Sequence, residues 1–121
     1  MRQIAIHASD GRVICPRCAV ADGPLTRMRG LLGRSTLDAD EGLLLKPAGS
    51  VHTFFMRFPI DVVFIDRDEQ VTRVVRDLPP WRLAGSRRAR AVLELPAGTC
   101  ARAEIASGTR LSLSIEDPRV A

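Results

Sequence analysis

What most narrows the fold of this chain is a set of short apolar runs set between turn formers. "GLLLK" (42–46), "DVVFI" (61–65) and "AVLEL" (91–95) are each a strand's length, whereas a helix needs about ten residues or more. Pro47, Asp66 and "PAG" (96–98) close the three runs. Such residues end regular structure by fixing φ, by opening the left-handed region or by bonding to their own backbone. Valine, isoleucine and phenylalanine fill the second run and suit a pleated, buried surface. All three are read as buried strands.

The neighbouring segments extend the pattern. "QIAIHA" (3–8) alternates with Ile4 and Ile6 on one face, "SDG" (9–11) signals a turn, and "RVIC" (12–15) resumes as a strand. "DRDE" (66–69) makes a four-residue hairpin loop, and "QVTRVVR" (70–76) returns from it. Pro79 and Pro80 exclude "LPPWRLAGSRR" (78–88) from regular structure. Thr99 is read as the cap of one helical turn through Ile105, and "RLSLSI" (110–115) as a strand with Leu111, Leu113 and Ile115 inward. One real helix is expected, from Asp22, Gly23 and Pro24 to about Gly33, with Leu25, Met28, Leu31 and Leu32 as its apolar stripe. Parallel βαβ units would need many more helices. The expectation is a mostly-β single domain over 1–121, a small sandwich or partly closed barrel. It would have about six to eight short strands and one short amphipathic helix packed over an opening.

A chain of 121 residues, 45% hydrophobic and 26% charged, is long enough for one self-standing core. No stretch approaches the roughly 20 apolar residues of a membrane span, so no membrane partner is expected. "MRQIAIHASDGRV" lacks the apolar core of a signal peptide, and the protein is expected in the cytoplasm. With four Phe, one Trp and no Tyr, aromatic stacking is not expected to be a main mechanism. The net charge of +4 is local: Val71 to Arg90 holds six Arg and one acid, Asp77.

The candidate chemistry divides into several small sets. Cys15 and Cys18 form a C-x-x-C, but a zinc site needs four ligands, and only Cys100, His7 and His52 remain to complete one. No metal and no cofactor is therefore expected. Three cysteines also argue against a disulfide framework. A triad of Ser50 or Ser35 with His52 and Asp61 lacks a G-x-S-x-G elbow. Asp61 and Glu94 are conceivable as paired carboxylates, although a chain with 14 acids always offers such a pair. Arg82, Arg87, Arg88 and Arg90 surround a proline-rich loop, where charge supports only non-specific, weak binding of nucleic acid or an acidic partner. In "SVHTFFMRFPIDVVFID" (50–66), polar His52, Thr53 and Asp61 stand among apolar residues. Ligand pockets are built that way. The scaffold reading is that Asp61 or Glu94 pairs with Arg29 or Arg57.

"RMRGLLGRSTL" (27–37), "GLLL" (42–45), "HTFFMRFPIDVVFID" (52–66), "AVLELPAG" (91–98) and "SGTRL" (107–111) follow one another at characteristic intervals. The combination resembles the bacterial and archaeal family catalogued as domain of unknown function 192, over residues 9 to 116. The resemblance implies a compact, mostly-β fold and brings no established activity. Members commonly carry Trp-Met-Lys-Asn where this chain has His52, Thr53, Phe54 and Phe55, so no role of those residues carries over. A Gly usually stands where this chain has Glu69, and "CPRC" belongs to no family motif.

The leading expectation is a small-molecule binding module, with an anion among the candidate ligands. Arg29, His52, Thr53, Met56, Asp61 and Glu94 would frame its pocket, and Arg29 would clamp an anion or hold Asp61. The alternatives are a hydrolase or isomerase using His52 with Asp61, and the weak binder through Arg82, Arg87, Arg88 and Arg90. Substrate and oligomeric state are not legible at this level.

Overall fold

A computed structural model of the protein describes residues 2–113. In chain order its elements are β1 (Arg2–Ala8), β2 (Val13–Ala21), α1 (Pro24–Arg29), β3 (Glu41–Leu45), β4 (Ser50–His52), β5 (Ile60–Ile65), β6 (Val71–Leu78), β7 (Leu83–Gly85), β8 (Ala91–Pro96), α2 (Thr99–Arg102) and β9 (Leu111–Ser112). Seven strands form one sheet in the order β6-β5-β8-β3-β2-β1-β9, and β4 pairs with β7 apart from it. Neighbours in the large sheet are antiparallel except β2 and β3. Its two edges meet at one end, where Gln70 bridges Arg110. There Val71 N donates to Thr109 O and Leu111 N to Glu69 O, both at 2.8 Å. The result is a curled half-barrel, mostly β as the short apolar runs require.

Strand alternation sorts the core into two clusters. From β5 and β8, Val63, Ile65, Leu93 and Leu95 point one way and join Ile6, Cys18, Val71 and Leu111. Both edges of the sheet contribute to this cluster, so it fills the inside of the curl. Val62, Phe64 and Val92 point the other way and pack with Leu31, Val51 and Met56. Since β5 is buried on both faces, its unbroken apolar run needs no polar alternation. The outer cluster is covered by the chain around α1 and by the β4–β7 ribbon.

The central strands lie very close. A Cβ on Gly42 of β3 would stand 2.7 Å from Cys15 Sγ, 3.0 Å from Leu95 Cδ2 and 3.1 Å from the Glu94 carbonyl oxygen. Gly42→Ala is expected to destabilise by about 2 kcal/mol, mid-range for overpacking. A urea midpoint equal to the parent's would show that the sheet yields freely there.

Several local expectations change. The helix ends at Arg29 rather than near Gly33, and Leu25 and Met28 are 79% and 70% exposed, so two of its four stripe residues face outward. The turn that packs into the curl is α2, through the buried Cys100, with Gly98 rather than Thr99 as its N-cap. "LPPWRLAGSRR" contains the short strand β7, which pairs with β4 beyond the prolines. Glu69 takes φ 61, the left-handed conformation that a Gly adopts more readily. The expected inward Ile115 lies outside the described residues. "CPRC" lies inside β2, where Ile4 and Ile6 of β1 pair with Cys18 and Cys15. One residue of β1, Ala5, thus opposes two of β2, Pro16 and Arg17, a bulge that turns both thiols inward. Cys15, Cys18 and Cys100 are buried and unbridged. The interaction of the two neighbouring thiols lowers the pKa of Cys15 and raises that of Cys18, and burial pushes Cys100 up to about 12.

Candidate functional site

A cavity of about 280 Å³ opens on the outer face of the sheet. Glu94 forms its floor, because the alternation that sends Leu93 and Leu95 into the curl sends Glu94 outward beside Val92. Leu43 and Val62 flank Glu94 from the neighbouring strands. Met56 and Leu31 supply apolar wall, and His52 stands at the lip. Gly30 leaves the space over the carboxyl clear, since a Cβ there would lie 3.8 Å from Glu94 Oε1.

The electrostatics of this floor are unusual. Glu94 is 3% exposed, and its Oε1 has no hydrogen-bond partner among the described residues. Burial pushes its pKa up to about 7, because removal from water disfavours the charged form. Arg27 also lines the cavity, but its guanidinium donates to Pro47 O at 2.7 Å and Gly23 O at 3.3 Å. Both contacts are backbone carbonyls, so neither neutralises Glu94.

The other candidate residues fall in different places. Asp61 is wholly buried, on the Val63 side of β5 and hence on the opposite face of the sheet from Glu94. Its Oδ1 accepts from Asp77 N at 2.9 Å, and its Oδ2 from Gly98 N at 3.1 Å and Cys100 N at 2.9 Å. The described partners of Asp61 are thus backbone amides, and none of these bonds involves His52. The paired-carboxylate geometry is likewise not assembled, since the sheet separates the two acids. Arg57 is exposed and forms none of the described ion pairs, whose basic partners are Arg2, Arg12, Arg17 and Arg34. The side chain of Arg29 lies outside the described residues.

Thr53 is buried behind the lip rather than in the cavity. Its hydroxyl donates to Pro79 O at 2.7 Å and accepts from Arg82 N at 2.9 Å. Its carbonyl accepts from Met56 N and Trp81 N. This clamp joins two loops in which Phe55 (φ 66) and Trp81 (φ 67) both hold left-handed backbone, a conformation uncommon for bulky residues. Phe55 and Trp81 meet with ring centroids 4.6 Å apart, and Phe54 stacks between Trp81 at 5.9 Å and His52 at 5.1 Å. Leu83, the cross-strand partner of His52, is 71% exposed, like Phe55. Five aromatic residues in 121 give little reason to expect stacking. Three of the five nevertheless gather beside the cavity mouth, and the adjacent Phe54 and Phe55 were the signal available.

The basic loop does not form one surface. Arg87, Arg88 and Arg90 gather with Arg67 around Asp66 and Asp68, while Arg82 lies against the Trp81 turn. Among the described residues no three His, Cys, Asp or Glu side chains are grouped to hold a metal.

The family model DUF192, described as Uncharacterized ACR, matches residues 5–113. A UPF0127 protein of Thermococcus sibiricus is 28% identical over 121 residues, covering 96% of this chain and 78% of that protein. A crystal structure from Sinorhizobium meliloti 1021, that of a putative transcription regulator, superposes with a TM-score of 0.79 at 26% identity and covers 91% of each chain. A structure from Novosphingobium aromaticivorans, of a protein of unknown function, has the same fold, with a TM-score of 0.78 at 23% identity over 91% of this chain and 83% of that one.

Proposed function

The chain belongs to the domain of unknown function 192 family, and we propose that it is a small-molecule binding module whose site is the Glu94 cavity. One observation carries the reading: a buried carboxyl oxygen without a hydrogen-bond partner among the described residues faces an open space. Buried polar atoms in folded proteins are nearly always hydrogen-bonded, and a bound ligand would supply the missing donor. The lining fits, being mostly apolar with few convergent polar groups.

The competing readings have less behind them. Hydrolysis by His52 with Asp61 lacks a hydrogen bond between the two and places them on opposite sides of the sheet. Nucleic-acid binding, which the name of the S. meliloti protein brings to mind, would use arginines that are divided between two places on turns. The three buried, unbridged thiols suit a reducing compartment, and the cytoplasm is the location we propose. Thermal-shift screening of a chemically mixed metabolite set, followed by amide mapping, tests the function. Ligand-induced shifts at Gly30, His52, Met56 and Glu94 are expected. If no compound of any charge class perturbs these residues, the reading fails.

A further inference from the structure

We infer that the cavity takes a small ligand bearing a basic nitrogen, an amine or amidine, seated against Glu94 with its apolar body toward Met56 and the aromatic lip. The inference rests on the proposed binding role and adds the chemical class of the ligand. The sequence points to an anion held by an arginine, but the described floor is an acceptor. Glu94 Oε1 is buried and unpartnered among the described residues, and Arg27, the one described cation on the lining, is held by carbonyls. A carboxylate in such a place needs a donor that carries charge, because charge-assisted hydrogen bonds offset desolvation better than neutral ones.

The mouth suits the rest of such a molecule. Met28, Leu32 and Met56 are on the wall, and His52, Phe54, Trp81 and Phe55 form a continuous ring-on-ring ledge beside it. Aromatic faces attract cations as well as apolar surface, so the ledge would also favour an approaching ammonium. A cavity of about 280 Å³ lies near the small end of ligand pockets, which points to a compact free molecule.

Binding then carries a proton balance. Below neutrality Glu94 is protonated, so docking of an ammonium ligand releases the carboxyl proton to solvent and leaves an ion pair. At higher pH no proton moves. With the Glu94 pKa at about 7, affinity should rise about tenfold from pH 6 to pH 8, by the tenfold-per-unit rule. Among the described residues, the other charged or titratable groups facing the site are Arg27 and His52.

The experiment titrates phenethylamine and benzamidine into the isotope-labelled full chain, beside hydrocinnamate and phenethyl alcohol as anionic and neutral counterparts. A short lysine-containing peptide is run in parallel. The bases are expected to shift Gly30, His52 and Met56 and to bind at least tenfold tighter than their counterparts, with the stated pH profile. Glu94→Gln should abolish both preference and profile, and the profile in the parent protein stands as evidence even if that variant does not fold. Equal or tighter binding of hydrocinnamate or the alcohol at these residues would overturn the ligand class while leaving the binding role intact. So would a pH profile that survives Glu94→Gln but vanishes in His52→Asn. Tighter binding by the peptide would overturn the free-molecule assignment. If the bases do not bind and another class fills the cavity, the inference fails alone. If nothing binds, the binding role fails with it.

Discussion

Asp61→Ala is expected to lower stability by about 4 kcal/mol, since hydrogen bonds to a charged group are worth ~1.5–3 kcal/mol each and do not add fully. Three amides from two segments converge on this carboxylate: Asp77 at the end of β6, and Gly98 and Cys100 at the start of α2. Alanine would leave the buried Cys100 amide and the part-buried amides of Gly98 and Asp77 without this acceptor. For a domain of this size that amounts to a fall of roughly 15 °C in Tm, to be read by calorimetry beside a urea melt. Asp61→Asn separates the two oxygens. Its carbonyl can serve the Gly98–Cys100 pair, but its NH2 then opposes the Asp77 amide, so it should cost about half as much. An alanine variant that melts with the parent would show that these segments hold together without this anion. Ligand affinity at the Glu94 cavity should be unchanged in Asp61→Asn at temperatures where it is folded, because Asp61 lies across the sheet.

The second large effect has the opposite sign. Glu94 ordinarily ionises near 4.5, whereas burial moves it to about 7 in the fold. The folded state therefore holds its proton more tightly than the unfolded state. Stability from this group is fully present below about pH 4.5, falls as the pH rises, and is lost once the pH passes about 7. The loss is on the order of 3 kcal/mol at ~1.4 kcal/mol per unit. Glu94→Gln should remove this slope and be more stable than the parent at pH 8, because an amide buries without ionising. Urea melts at half-unit pH steps test it. A Glu94→Gln protein weaker than the parent at pH 8 would mean that the carboxylate has a cationic partner in the fold. Retaining a group that destabilises the free protein at neutral pH is the trade expected of a binding residue.

Much of the scaffold was legible because it depends on local pattern. The runs that became β3, β5 and β8 are short and bounded by Pro47, Asp66 and the 96–98 turn, and the 66–69 hairpin follows from polar residues between two β-forming segments. Glu94, His52 and Met56 were legible as polar or polarisable residues at the margin of apolar runs, and the cavity brings them together. The same reasoning placed Asp61 in that group, and there it did not suffice. Asp61 and Glu94 each sit one residue from β-branched or leucine neighbours, and no local signal says which face of the sheet either will join.

The sequence alone determined a β-rich domain and, at Asp61, a choice: an aspartate at the head of an apolar strand must either face water or find donors. Only the tertiary structure decided which donors those were, through backbone amides 16, 37 and 39 residues away. It also decided that β2 and β3 run parallel, that a bulge opposite β1 turns both Cys15 and Cys18 inward, and that Leu25 and Met28 remain in water. The physical reason is common to all of these. Alternation and turn chemistry act over a few residues and set what each segment is. Pairing, register and the facing of a strand depend on contacts between distant segments, so they emerge only when the sheet curls and its two faces are covered.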